Sequence, residues 1–137
     1  MPMETSTLSP MDVDEPNGGP GPRLMTASTL TGNKVVNYSG DILGEVVEIM
    51  LDVPRGRVAY AVMASGGFIG IGDKLFALPW SALSLDTDYK CFRMDVDASR
   101  FDNAPGFDKA HWPSSADFDL LHESIHDYWG ARRYWES

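Results

Sequence analysis

Apolar and polar residues alternate in short runs through the middle of the chain. The run at residues 57–64 has three large apolar residues on one face, with two alanines and a methionine on the other. Apolar residues on both faces predict a strand that is packed on both sides. Other runs predict strands at residues 34–37, 43–51 and 75–78, and a hairpin between residues 84–85 and 90–96.

Glycines mark the turns between these runs. Gly40 and Gly56 stand where tight turns favour a residue that tolerates positive φ. In the strand at residues 43–51, Gly44 and the adjacent Val46 and Val47 break the alternation. We expect a bulge or a sharp coil there, which would let the strand bend around a small barrel.

After residue 97 the apolar spacing changes from that of a strand to that of a helix. Residues 98–103 predict a short helix, and a longer one is predicted after Pro113. The longer helix has one apolar face, formed by Phe118, Leu121, Ile125 and Trp129. Gly130 is suited to end it in the left-handed conformation. The predicted fold class is mainly β: a small β-barrel with a C-terminal helical extension.

The N-terminal residues differ from the rest in composition. Residues 1–23 hold five of the nine prolines and show no apolar periodicity. Such a segment buries too little apolar surface to offset its ordering entropy. We therefore expect a disordered leader at residues 1–24, a barrel at residues 25–97, and a loop and helical C-terminal extension at residues 98–137.

Charge and composition exclude several classes of function. The formal net charge of -9 repels phosphate backbones, so we expect no nucleic-acid partner. No apolar run reaches the roughly 20 residues that span a bilayer, so we expect no membrane insertion. Cys91 is the single cysteine, which rules out an intramolecular disulfide. Together with the absence of a signal-peptide pattern, this predicts a cytoplasmic protein.

The segment at residues 122–126, HESIH, matches the H-E-x-x-H motif. On a helix, His122 and His126 lie one turn apart and can both bind zinc, with Glu123 as general base. A common continuation of this motif needs glycine at position 129 and histidine at 132, where this chain has Trp129 and Arg132. We expect a packed or surface helix, and a zinc-dependent hydrolase is the alternative.

Residues 66–74, GGFIGIGDK, form a glycine-rich segment. A phosphate-binding loop needs lysine directly after its second glycine, then serine or threonine at the start of a helix. Here Asp73 precedes Lys74, and the next predicted element is a strand. We expect a wide turn with Phe68 and Ile69 at its tip, although a small-molecule or metal sensor that uses this loop is a second alternative. We assign no catalytic residue, cofactor or metal site.

Several of these segments together resemble the PRC-barrel domain. They are Asn37 to Gly40 with Leu43-Gly44, the strand Arg57 to Val62, Gly66 to Lys74, and Phe76 to Trp80. Residues 103–108 and the aromatic ending at residues 128–135 also resemble free-standing bacterial members. The domain is similar to the barrel of the photosynthetic reaction-centre H subunit and to that of a ribosome maturation factor.

The resemblance implies a small barrel that acts as an adaptor or assembly module. Free-standing members of the family are often dimers. This sequence lacks the transmembrane helix of the reaction-centre subunit and the N-terminal domain of the ribosome factor, so neither of those functions is transferred. We expect a non-catalytic protein-interaction module, a homodimer, with a protein partner that the sequence does not identify.

The apolar residues exceed what so small a barrel can cover, and large exposed apolar patches usually mark interfaces. The candidate interaction surface consists of Phe68, Ile69, Phe118, Leu121, Ile125, Trp129 and Trp135. In the competing arrangement the helix folds back over one open end of its own barrel, which would cover the same face within one chain. Both arrangements remain open from the sequence.

Overall fold

The structure is a computed structural model that describes residues 23–65, 74–108, 111–114 and 117–136, apart from the side chains of Phe118 and Glu136. Residues 1–22 of the expected leader lie outside the described residues. So does most of the glycine-rich segment, including Phe68 and Ile69 at its expected tip.

The described residues form one seven-stranded sheet. Its strands are β1 (Lys34–Val36), β2 (Ile42–Asp52), β3 (Arg57–Ala64), β4 (Lys74–Pro79), β5 (Ser84–Asp86), β6 (Cys91–Arg93) and β7 (Gly106–Asp108). They lie side by side in the order β5-β6-β1-β2-β3-β4-β7. Within this described sheet, neighbouring strands are antiparallel except β1 and β6, which are parallel.

Short helical segments complete the described structure. They are the α-helices α1 (Ala27–Leu30) and α2 (Phe118–Trp129) and the 3-10 helices Trp80–Ala82, Ala98–Asn103 and Tyr134–Glu136. The predicted fold class is confirmed, because the chain is mainly β and carries a C-terminal helix. No helix among the described residues is long and apolar enough to cross a membrane.

Glycine and the bulges act as the sequence predicts. Gly40 and Gly56 have φ of 91° and 66° in the turns that precede β2 and β3. The register of β2 against β3 shifts between Val46 and Glu48, and again between Met50 and Leu51. The first shift confirms the bulge expected beside Gly44.

β7 is an element that the sequence pattern does not predict. It has three residues and pairs with β4, with Gly106 opposite Phe76. A Cβ atom on Gly106 would lie 2.5 Å from the Leu75 carbonyl oxygen, so the two strands approach closely because this position is glycine. Its sequence, Gly-Phe-Asp, contains a single apolar residue and follows a proline, so it shows no alternation.

The sheet is covered on both faces by two apolar clusters. The inner cluster consists of Val35, Leu43, Val46, Ala61, Met63, Phe76, Leu78, Phe92, Met94, Phe101 and Ala104. The outer cluster consists of Ala59, Tyr60, Val62, Leu75, Ala77 and Ile125. β3 supplies residues to both, which confirms the prediction of a strand packed on both sides.

Helix α2 closes the outer cluster. Before it, the carboxylate of Asp117 accepts hydrogen bonds from the amide (3.3 Å) and the hydroxyl (2.9 Å) of Ser114, which fixes the entry turn. After it, Gly130 adopts the left-handed conformation (φ 68°, ψ 27°) that the sequence predicts. Between these ends, Ile125 packs into the outer cluster and Trp129 contacts both clusters.

Candidate functional site

The two histidines of the HESIH segment face the sheet and are buried. His122 is 3% exposed and His126 is 2% exposed. After Gly130 the chain turns back, so that Tyr134 and Trp135 of the last 3-10 helix lie against both rings. These four side chains, with Asp52 at the end of β2, are called the histidine cluster below.

Aromatic packing fixes the rings of this cluster. The Trp135 indole stacks on the His122 imidazole, with their centroids 4.1 Å apart and their planes at 27°. The His126 ring meets the same indole edge-on at 4.8 Å, and the two imidazole centroids are 4.9 Å apart. Nδ1 of His126 lies 2.7 Å from the carbonyl oxygen of His122. One ring nitrogen of His126 is therefore engaged by its own helix.

A buried carboxylate anchors the returning C-terminal segment. The Tyr134 hydroxyl donates a 2.6 Å hydrogen bond to Oδ2 of Asp52, and the Arg55 guanidinium donates to the same oxygen at 3.1 Å. The bond from Tyr134 lowers the pKa of Asp52 more than burial raises it. Burial and the bond to Asp52 raise the pKa of Tyr134. At neutral pH the carboxylate is thus ionised and the phenol protonated.

Both histidines are neutral at neutral pH. Burial, followed by repulsion from His126, lowers the pKa of His122 to about 4. Burial also lowers the pKa of His126. Neutral rings stacked among aromatic side chains behave as packing groups, and an imidazolium would be costly at either position.

The geometry departs from what a zinc hydrolase needs. Glu123, which would be the general base, extends into solvent, with its carboxylate 3.9 Å from the Arg133 guanidinium. A catalytic zinc site usually has three protein ligands. The described residues bring His122 and His126 together, but include no group of three or more His, Cys, Asp or Glu side chains able to hold a metal ion.

The expected interaction surface is placed as follows. Ile125 is 0% exposed in the outer cluster, and the partly buried Leu121 and Trp129 pack against the same sheet. Trp135 covers His122. Phe68, Ile69 and the side chain of Phe118 lie outside the described part of the chain. In this single chain α2 packs against its own sheet, and Ile125 is buried there.

A different exposed group, which sequence reasoning did not find, lies at the other end of the sheet. The Arg93 guanidinium carbon is 5.9 Å from the Tyr38 ring centroid and 5.5 Å from that of Tyr89. Tyr38 is 65% exposed and Tyr89 is 76% exposed. Asp86 accepts from Nε of Arg93 at 3.0 Å, and the Asn37 carbonyl oxygen accepts from the same guanidinium at 3.1 Å. Tyr38, Tyr89 and Arg93 are called the tyrosine–arginine patch below.

No local sequence pattern predicts this patch. Tyr38 follows β1, Tyr89 lies in the β5–β6 turn and Arg93 ends β6, so only the pairing of β6 beside β1 brings them together. The ion pair between Arg93 of the patch and Asp86 is partly shielded from solvent, because both side chains are only about one-fifth exposed. Hydrogen bonds from the Tyr89 amide and then from Arg93 lower the pKa of Asp86.

The chain is similar to a known domain family and to a solved structure. The family model for the PRC-barrel domain matches residues 22–100. Among solved structures, the chain is similar to RimM of Pseudomonas aeruginosa, described as a 16S ribosomal RNA processing protein, with 24% sequence identity and a TM-score of 0.37. That match covers 54% of this chain and 44% of the RimM chain, so this chain spans less than half of that protein. None of the curated proteins compared with the chain matches it.

Proposed function

The chain belongs to the PRC-barrel domain family, and we propose that it acts as a non-catalytic protein-interaction or assembly module. The observation that carries the proposal is the tyrosine–arginine patch. Two large aromatic side chains remain exposed there beside a guanidinium that the protein itself holds in place. We place this module in the cytoplasm, in keeping with its single cysteine and acidic composition.

The composition of the patch suits a binding surface. Tyrosine and arginine are enriched among the residues that contribute most to protein–protein affinity. Two hydrogen bonds fix Arg93 before any partner arrives, so little rotamer freedom is left to lose on binding. Tyr38 and Tyr89 offer contact area with few rotatable bonds.

The histidine cluster supports the non-catalytic part of the proposal. The groups that could take part in a reaction already have partners within the protein. Tyr134 and Arg55 donate hydrogen bonds to Asp52, and Trp135 covers His122. Their effect is to fasten the C-terminal segment to the sheet. This use of the HESIH residues differs from that in a zinc hydrolase, where the histidines would bind the metal ion.

The first partner to test is a second copy of this chain. A twofold contact places the same patch on both sides, so that a tyrosine of one copy can stack on the arginine of the other. The patch adjoins β5, which ends the described sheet and offers an unpaired edge to the same contact. A stable pair would bury about 1,200–2,000 Å².

Light scattering after size-exclusion chromatography at micromolar concentration tests this proposal. We expect a mass about twice the 15.1 kDa of one chain. Tyr38→Ala combined with Tyr89→Ala should shift the mass to that of one chain. The matched control, Leu51→Ala with Val53→Ala, removes two other exposed apolar side chains and should leave the dimer intact. A parent protein of 15.1 kDa, or a dimer indifferent to the tyrosine changes, would refute the proposed contact.

A further inference from the structure

A pocket of about 550 Å³ lies beside the histidine cluster. Its lining residues are Gly56, Arg57, Val58, Trp80, Ser81, His126, Arg132 and Tyr134. The volume falls within the roughly 300–1,000 Å³ of small-molecule sites. Neither the PRC-barrel assignment nor the tyrosine–arginine patch accounts for this pocket.

The charged side chains that line the pocket are both positive. Among the described residues, neither Arg57 nor Arg132 forms an ion pair. The nearby carboxylate of Asp52 does not neutralise them, because it is bound by Tyr134 and Arg55. Within the described part of the chain, the pocket therefore holds two guanidinium groups with no paired carboxylate, although the formal net charge is -9. Their charge favours an anionic ligand.

One of these guanidinium groups is held in a defined position. The Arg57 guanidinium carbon lies 4.5 Å from the centroid of the Tyr134 ring. The Tyr134 ring is fixed in turn by its 2.6 Å hydrogen bond to Asp52. A guanidinium stacked on an aromatic face keeps its edge N–H groups available, and their planar fork matches a carboxylate or a phosphate.

The remaining walls define the rest of the ligand. Trp80 and Val58 contribute apolar surface beside the two cations, and the Ser81 hydroxyl adds a neutral donor. We propose that this pocket binds a small molecule that joins a carboxylate or phosphate to an apolar body. Arg57 and Arg132 bind the anionic group, and the apolar body packs against Trp80. This ligand site is independent of the proposed dimer contact.

Amide and indole chemical shifts of the full-length protein test the proposal. The probes are phenyl phosphate, benzoate, inorganic phosphate and the neutral benzyl alcohol, added at constant ionic strength. We expect saturable shifts at Arg57, Val58 and the Trp80 indole with phenyl phosphate or benzoate, and weaker binding of inorganic phosphate. The first two probes separate a phosphate site from a carboxylate site. Equal binding of benzyl alcohol, or shifts that never saturate, would overturn the proposal.

Variants assign the binding to the two arginines. Arg57→Ala and Arg132→Ala should each weaken the preferred probe by about tenfold, and Arg57→Lys, which keeps the charge but loses the fork, should weaken it less. Lys34→Ala removes one positive charge outside the pocket and should leave binding unchanged. A thermal melt of each variant without ligand checks that it is folded. If Lys34→Ala weakened binding as much as either arginine variant, general electrostatics would replace the pocket as the explanation.

Discussion

His122 shows how burial determines the role of a single residue. Its ring is 3% exposed and stacked beneath Trp135, and burial is the main cause of its lowered pKa, about 4. The spacing of the HESIH motif predicts two histidines on one helical face, which the structure confirms. The spacing could not show that this face turns to the sheet, because that packing depends on residues far apart in the sequence. The bond between Asp52 and Tyr134, for example, joins residues 82 positions apart.

The buried histidine makes stability depend on pH. Above the ordinary pKa of 6.5, His122 is neutral in both the folded and the unfolded chain, and its contribution is constant. Below 6.5 the unfolded chain binds a proton that the folded chain binds only near pH 4. The free energy of unfolding should therefore decrease as the pH is lowered through this window, by about 1.4 kcal/mol per pH unit for one such histidine. Urea unfolding at several pH values measures this slope.

One variant assigns the slope to its source. His122→Phe keeps an aromatic ring beneath Trp135 and removes one of the two buried titrating groups, so it should reduce the slope between pH 6.5 and 4 and leave the part that is due to His126. Asp52 affects stability only at lower pH. Its pKa is lowered in the folded chain, so its contribution to the free energy of unfolding is lost only as the pH falls below 3.8, the ordinary pKa of the group. An unchanged slope in His122→Phe would show that other groups carry the pH dependence.

At the scale of elements, local pattern predicts what an element is more readily than what it packs against. Alternation and turn glycines locate β2 and β3, and the apolar spacing locates α2. That same apolar face suits either the chain's own sheet or a second chain, so its burial against β3 and β4 is a tertiary outcome. The tyrosine–arginine patch escapes prediction for the same reason, since strand order creates it.

Gly44 lies where β2 and β3 approach each other closely, and a substitution there tests that approach. A Cβ atom at this position would lie 2.4 Å from the Ala64 carbonyl oxygen and 2.8 Å from Cγ of Met63. Since the oxygen belongs to the backbone of the neighbouring strand, relief requires the strands to separate. Gly44→Ala should reduce the free energy of unfolding by about 1–3 kcal/mol, measured by urea denaturation. Glu45→Ala, at the exposed neighbouring position, should change it little.

The opposite result is physically possible at this site. Alanine restricts the unfolded chain more than glycine does, and where it fits without strain it stabilises a protein by about 0.4–1 kcal/mol. If Gly44→Ala were as stable as the parent, β2 and β3 would have to be free to separate without loss of the inner cluster. The close approach would then not be what requires glycine here.

At the scale of the whole molecule, the family match and the folded unit do not coincide. The match covers residues 22–100, whereas β7, α2 and the last 3-10 helix all follow residue 100. Ile125 from this later segment completes the outer cluster, and Tyr134 binds the buried Asp52. The segment is therefore part of the fold and more than an appendage to the barrel.

A chain that ends at residue 108 should consequently fail to fold cooperatively, although it contains the whole family match. Loss of the segment after residue 108 would expose Tyr60 and Val62 on the outer face of β3 and leave the Asp52 carboxylate without the Tyr134 hydroxyl. Thermal unfolding followed by near-ultraviolet circular dichroism, together with dye binding to exposed apolar surface, measures the effect. The control is a chain of residues 23–137, whose melting temperature should stay near that of the parent because residues 1–22 show no apolar periodicity. A sharp transition in the 1–108 chain at the parental temperature would mean that the sheet is stable without α2, and that the C-terminal segment serves some purpose other than completing the core.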